Sequence, residues 1–230
     1  MISGINIIAL IIAYLLGSVA SAVWIGKIFY KLDVREFGSG NSGATNAFRV
    51  LGKPAGVIVL LMDTSKGWLA VNMAYLLQYF DLSHYIPGTA PYVDLQLALG
   101  IAALLGHIFP IYVGFRGGKG IATLLGIILA IHPYAALYSL CIFLVVFLVT
   151  RYVSLSSMIA SLSFPVVVIW VFEATIPSLV IFSLLIAILV LITHQKNIER
   201  LLSKEESRAK LFVKKTNTES EESVASSNSE

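Results

Sequence analysis

Charged residues are scarce in this chain: Asp, Glu, Lys and Arg make up 13% of its 230 residues, where a soluble domain carries about a quarter. With 57% of the residues hydrophobic, the chain cannot cover itself with polar surface, and lipid is its expected solvent. Cysteine is nearly absent. The single one, Cys141, lies between Leu140 and Ile142, which excludes a disulfide within the chain and any cysteine-based metal site. No cluster of His, Cys or carboxylate has metal-ligand spacing, so neither a metal nor another cofactor is expected. Net charge is only +3 and no basic stripe is interleaved with aromatics, which excludes a nucleic-acid partner. Positive charge is also missing before the first apolar segment, 5–25; Lys27, Lys31 and Arg35 follow it instead. That order reverses a signal peptide's, although Ala20-Ser21-Ala22 imitates a cleavage site, so the segment is expected to remain as a membrane span.

A hydrocarbon core about 30 Å thick takes about 20 apolar residues per helix. The stretches 4–26, 55–80, 94–112, 120–132, 134–150, 156–172 and 176–193 predict an all-α fold, a polytopic transmembrane helical bundle of about seven spans. With the N-terminus outside and the C-terminus cytoplasmic, Lys27, Lys31, Arg35, Arg49, Lys53, Arg116, Lys119, Arg151 and the basic residues from Lys196 to Lys215 all fall inside, as the positive-inside rule asks. Only Lys66, within the second stretch, departs. The outer connections 81–94, 132–133 and 173–177 carry no Lys or Arg. The chain then divides into a membrane domain over 1–202 and a polar cytoplasmic tail over 203–230. The tail is Ser, Glu, Lys and Asn with almost nothing to bury, which predicts disorder, and no chemistry is assigned to it.

The same sidedness gathers the polar motifs at the cytoplasmic ends of the spans. The run Gly38-Ser39-Gly40-Asn41-Ser42-Gly43 matches G-x-G-x-x-G, but that pattern marks dinucleotide binding only between a strand and a helix, and a transmembrane helix precedes it here. What survives is physical. Gly38, Gly40 and Gly43 let backbone N–H groups converge on an anion, Ser39, Thr45 and Asn46 add side-chain donors beside Asn41, and Arg49 supplies charge. Gly117-Gly118-Lys119-Gly120 imitates a Walker loop but has Val113 where the first glycine belongs and Gly120 where Ser or Thr belongs. It reads as a bend at a helix start, where free N–H groups, the positive dipole end and Lys119 point the same way.

His107, in Gly106-His107-Ile108-Phe109-Pro110 near the end of the third span, reads equally as a packing group and as a substrate ligand. His194 follows the last span, and Asn197 three residues on shares its helix face, so the pair is suited to gripping hydroxyls. With an ordinary pKa of about 6.5, His194 is also a candidate general base. Asp63 and Lys66 either pair with each other or mark function, as ionisable groups in a membrane segment do. Ser154, Ser156 and Ser157 line a cavity or pack helices.

These residues amount to a cytoplasm-facing phosphate site at the edge of the hydrocarbon, suited to a substrate with a phosphate head and an apolar tail. The motifs resemble the bacterial glycerol-3-phosphate acyltransferases that use acyl-phosphate as donor, the PlsY type. The likeness rests on Gly38 to Asn41, Gly43 to Asn46 and Arg49; on Gly106-His107, Phe109-Pro110, Phe115, Gly117 to Gly120 and Ala122-Thr123; and on Thr193-His194, Asn197-Ile198 and Arg200-Leu201-Leu202. It covers residues 1–205. The resemblance implies an enzyme of the bacterial plasma (inner) membrane that moves a fatty acyl group from acyl-phosphate to the 1-hydroxyl of sn-glycerol 3-phosphate, giving lysophosphatidic acid and phosphate for phospholipid synthesis.

It implies further that Ser39, Arg49 and Lys119 clamp phosphate, supported by the glycines of both loops, and that His194 and Asn197 hold the glycerol hydroxyls with Ser154 as a third. No dedicated strong base is implied, and a substrate phosphate accepts the hydroxyl proton. The partners implied are acyl-phosphate, glycerol 3-phosphate and the bilayer, with the cytoplasmic loops a candidate docking face for the enzyme that makes the donor. One departure is visible: Lys204 stands where such proteins usually place a glycine. A membrane carrier for an organic phosphate would need a similar basic, glycine-rich site, but neither loop has the second copy that inverted repeats would supply. A scaffold that docks a cytosolic partner would leave the Lys119 turn unexplained.

Overall fold

The computed structural model describes residues 4–79 and 85–209. Among them every regular element is helical. The order is α1 (Gly4–Gly17), α2 (Ser21–Ile25, continued by a π-helical turn Gly26–Tyr30), α3 (Ala44–Val50), α4 (Lys53–Leu77), α5 (Ala90–Ile108), α6 (Ile121–Ile131), α7 (Pro133–Thr150), α8 (Val153–Val166), α9 (Pro177–Thr193) and α10 (Gln195–Leu202). Residues 80–84 of the expected outer connection and residues 210–230 of the expected tail lie outside the described residues.

Each apolar stretch of the sequence coincides with a helix or a helix pair. Among the described residues four helices are long and apolar enough to cross a membrane, and six crossings result if the pairs bent by 46° and 60°, α1–α2 and α9–α10, each count once. The remaining one, α6, has 11 residues and rises about 16 Å, half the hydrocarbon thickness. Pro165 inside α8 removes a backbone donor, and the helix widens directly afterwards into a π-helical turn over Val167–Val171. Leu144, Val145, Leu148 and Val149 of α7 face outward and exposed, a surface suited to hydrocarbon rather than water.

The first stretch, expected as one continuous helix, breaks at 18–20, and the break has a cause that sequence spacing hides. The Val19 carbonyl, left outside both α1 and α2, accepts a hydrogen bond from Lys66 Nζ at 2.8 Å. Lys66 in turn pairs with Asp63 Oδ1 at 2.8 Å, which also accepts from Ser21 Oγ at 2.8 Å. The intramembrane charges thus pair with each other, and the lysine adds a second donor to a carbonyl at the break that also accepts from the Ser21 N–H at 3.1 Å.

Glycines set the closest helix contacts. A methyl group at Gly67 or Gly126 would run into the Thr123 or Thr64 carbonyl, so α4 and α6 meet backbone to backbone. Gly17 and Gly106 do the same for α1 and α5. A separate apolar cluster of Val23, Val34, Ala47, Leu51, Ala55 and Val59 packs the first polar loop and α3 onto α2 and α4. These contacts fix the polar loops to the helix ends.

Candidate functional site

The first polar loop is shaped by its own asparagines. Gly38 and Gly40 have φ of 62° and 72°, the left-handed region that favours glycine. Asn46, at the start of α3 and fully buried, accepts from the Ser39 backbone N–H at 2.9 Å. Its amide donates to the Val34 carbonyl at 2.8 Å and to the Phe37 carbonyl at 3.1 Å. Asn41 Oδ1 accepts from the Gly43 N–H at 2.9 Å, an Asx turn. Both asparagines, expected as substrate ligands, therefore spend these bonds holding the loop's shape, while Ser39, Thr45 and Arg49 are exposed on it.

Asp33 and Arg35 tie this loop to the second one, a link the sequence analysis missed. Asp33 accepts from Arg35 Nε at 2.9 Å and from Nη2 at 2.7 Å. The guanidinium also donates from Nη1 to the Val113 carbonyl at 2.8 Å, in the turn leading to Lys119. The Arg35 hydrogen bond holds the Asp33 carboxyl well below the usual carboxylate range, against the opposing effect of burial.

The second loop lies on the C-terminal end of α5. The Gly118 N–H donates to the His107 carbonyl and the Gly117 N–H to the Ile108 carbonyl, each at 3.2 Å, satisfying oxygens the helix end leaves over. Gly120, at φ 81°, begins α6. His107 is buried beneath this turn, with Nδ1 3.1 Å from Thr123 Oγ1, and a methyl group at Gly118 would strike its Nε2. The structure therefore sets it under the turn as support.

From this turn Lys119 reaches the third motif. Its Nζ makes a short hydrogen bond to Asn197 Oδ1. The Asn197 amide donates to Glu206 Oε1 at 2.6 Å, Ser154 Oγ donates to the same oxygen at 2.6 Å, and Arg200 Nε donates to Oε2 at 2.7 Å. Next in the chain, Ser207 Oγ accepts from Arg49 Nη2 at 3.2 Å. Arg208 lies over the Tyr152 ring, 5.1 Å from its centroid. Residues 205–209 thus fold back across the helix ends and join α3, α8 and α10.

Of the sequence candidates, Arg49, Lys119, Ser154, His194 and Asn197 belong to this constellation. Glu206 and Arg200 were missed. Arg200 had a signal, since it lies three residues after Asn197 on the same helix face. Glu206 had none that composition could carry.

The electrostatics divide the roles. Burial, helped by the neighbouring Arg200 charge and opposed by Glu206, pushes Lys119 down to about 8. It remains mostly cationic at neutral pH. His194, just past the end of α9, is pushed down to about 4 by burial first and by the Lys119 charge second. Its Nδ1 lies 2.8 Å from the Val190 carbonyl, which can only accept, so Nδ1 carries the proton and Nε2 presents a lone pair. A neutral imidazole of this kind orients a hydroxyl well and is a weak base. Glu206 is raised by burial but lowered more by the donors on it, with a net shift below its ordinary value. Among the described residues no group of three or more His, Cys, Asp or Glu side chains could hold a metal ion.

Residues 7–204 match the family model described as glycerol-3-phosphate acyltransferase. The glycerol-3-phosphate acyltransferase of Enterococcus faecalis is 43% identical over 210 residues, covering 88% of this chain and 91% of its own. That of Listeria monocytogenes is 43% identical over 207 residues, covering 90% and 98%. The crystal structure of PlsY (YgiH), an integral membrane glycerol 3-phosphate acyltransferase, superposes in its glycerol 3-phosphate form with a TM-score of 0.78 at 37% identity, covering 90% of this chain and 96% of that one. Its lysophosphatidic acid form gives a TM-score of 0.74 at 36% identity.

Proposed function

The chain belongs to the glycerol-3-phosphate acyltransferase family, and on that premise we propose that it transfers a fatty acyl group from acyl-phosphate to the 1-hydroxyl of sn-glycerol 3-phosphate, releasing lysophosphatidic acid and inorganic phosphate. The observation that carries this reading is the meeting of Lys119, Asn197, Ser154, Arg200 and Arg49, drawn from four segments, around one end of the bundle. Cations and hydroxyl-binding groups gathered at the edge of an apolar body suit a phosphate-bearing acceptor and a lipid donor.

In this reading Lys119, Arg49 and Ser39 hold the acceptor's phosphate, with glycine N–H groups of both loops behind them. Nε2 of His194 accepts a hydrogen bond from a glycerol hydroxyl, and Asn197 and Ser154 fix its neighbour. The 1-hydroxyl oxygen attacks the acyl carbonyl carbon, the bond from that carbon to the phosphate oxygen breaks, and the hydroxyl proton leaves on a phosphate oxygen. Acyl-phosphate is an activated mixed anhydride, so orientation and charge neutralisation suffice, and the weak basicity of His194 is no obstacle. The protein then crosses a bacterial inner membrane seven times, α6 included, with its N-terminus outside and these helix ends cytoplasmic. The carrier reading loses support because the intramembrane charges, Asp63 and Lys66, are engaged with each other.

A single-turnover assay of the purified protein in detergent tests the proposal, with palmitoyl-phosphate and radiolabelled glycerol 3-phosphate. Labelled lysophosphatidic acid is expected from the wild type and strongly reduced with Lys119→Ala and Arg49→Ala. Binding of glycerol 3-phosphate without acylation would overturn the enzyme reading and favour a carrier.

A further inference from the structure

Asp63 and Lys66 remain unused by that chemistry, yet a buried ion pair is weak evidence for stability, since well-packed apolar residues in its place are often neutral or stabilising. Its position suggests another use. Asp63 Oδ1 lies 3.8 Å from His107 Nδ1, and Thr123 Oγ1 lies 3.1 Å from the same nitrogen. One edge of the imidazole is therefore set by α4 and α6. The other edge, at Nε2, is pressed against Gly118 closely enough that no side chain fits between them. Thr123 itself cannot drift, because Gly67 of α4 packs directly on its carbonyl. The ring is a spacer whose angle is fixed by a carboxylate and a hydroxyl on one side and is transmitted to the glycine preceding Lys119 on the other.

We propose that the Asp63–Lys66 pair, acting through Thr123 and His107, sets the conformation of the Gly117-Gly118-Lys119 turn, so that Thr123 and Asp63 are positioning residues for the phosphate-binding lysine. The inference rests on Lys119 binding the acceptor's phosphate. Lys66 holds the same carboxylate oxygen and ties it to the helix break at Val19, and Ser21 donates to that oxygen from α2. The turn is thereby referenced to three helices at once. A purely structural pair would make no demand on His107's angle. A positioning pair predicts a defect confined to the acceptor side.

Thr123→Val keeps the shape of the buried side chain and removes the hydroxyl facing Nδ1. The expected result is a rise of about tenfold or more in KM for glycerol 3-phosphate, with KM for palmitoyl-phosphate and kcat within about twofold of wild type and an unchanged Tm. Thr123→Ser is expected to restore wild-type KM. Lys119→Ala, measured alongside, tests the underlying reading: if it leaves KM for glycerol 3-phosphate unchanged, that reading fails. If Lys119→Ala raises KM while Thr123→Val does not, the positioning role fails alone. A lowered Tm or a uniform loss of kcat without the selective KM rise also overturns it. Should Thr123→Val yield no folded protein, the same KM split is read from Ser21→Ala, which leaves Lys66 on Asp63 Oδ1 but removes the Ser21 donor. Wild-type KM in that variant refutes the proposal.

Discussion

Lys119 makes the activity sensitive to alkaline pH in a way that can be worked from its surroundings. Burial and the Arg200 charge bring its pKa to about 8, whereas an ordinary lysine ionises above 10. The charged form binds phosphate, so binding is present below that pKa and lost as pH rises through it. In the free enzyme about 90% of Lys119 is protonated at pH 7 and about 10% at pH 9, which predicts a roughly tenfold fall in kcat/KM for glycerol 3-phosphate across that interval. A bound phosphate dianion favours the ammonium, so the corresponding limb of kcat alone moves to higher pH. The substrate's own second ionisation, near 6, sets the rising limb. The assay is initial rates with radiolabelled glycerol 3-phosphate below its KM and saturating palmitoyl-phosphate from pH 6 to 10, with enzyme-free blanks for donor hydrolysis. Lys119→Arg carries a charge that does not titrate in this range, and its alkaline limb is expected to disappear at a lower overall rate. Glu206→Gln removes a charge that supports the ammonium, and its limb is expected to move toward acid. A profile flat to pH 10 in the wild type, or a limb unchanged in Lys119→Arg, would refute the assignment.

Asn46→Ala removes one acceptor and two donors from the first loop, a loss of about 2–4 kcal/mol. A lowered Tm and at least a tenfold lower kcat/KM are expected, and a fully active, equally stable variant would show that the loop does not depend on it. Glu206→Ala leaves the Ser154 and Asn197 donors and the Arg200 guanidinium without their shared acceptor. The expected fall in kcat/KM is about five- to a hundredfold, read in the same assay. A chain ending at Ala209 keeps Glu206, Ser207 and Arg208 and should retain wild-type kcat/KM, whereas one ending at Ser203 should lose activity as Glu206→Ala does; equal activity of the two truncations would separate the segment 204–209 from function.

The helices were legible because hydrocarbon imposes long apolar runs, and the positions of α4, α5, α7, α8 and α9 follow from that alone. The break at 18–20 was not, since Lys66 reaches across from α4 to the Val19 carbonyl between α1 and α2. Local spacing within 4–26 carries no trace of that partner. The same limit applies to the site. Lys119, Arg49, His194 and Asn197 announce themselves as polar groups at the ends of apolar runs, where a polar residue is costly without a use. Asn46 and Asn41 stand in an equally suggestive place and yet serve the loop's own backbone. Donor-rich composition cannot distinguish a side chain that binds a ligand from one that shapes the cradle.

Glu206 marks the opposite failure, an acidic residue in a polar tail where acidic residues are cheap and carry no signal. Its place becomes intelligible once charges are counted around the site. Arg49, Lys119 and Arg200 bring three positive charges to these helix ends, and three unrelieved cations would repel one another and drive the buried lysine toward its neutral form. Arg200 already lowers the Lys119 pKa, and Glu206 opposes it. Among these four groups the carboxylate leaves a net of +2, matching a phosphate ester dianion at neutral pH. Glu206 also holds Asn197 and Ser154 by donors that would otherwise turn toward a ligand in several orientations. An anion supplied by the protein itself thus keeps the binding lysine charged and its neighbours aligned before the substrate's anion arrives, the kind of prior organisation on which a reaction driven by positioning depends.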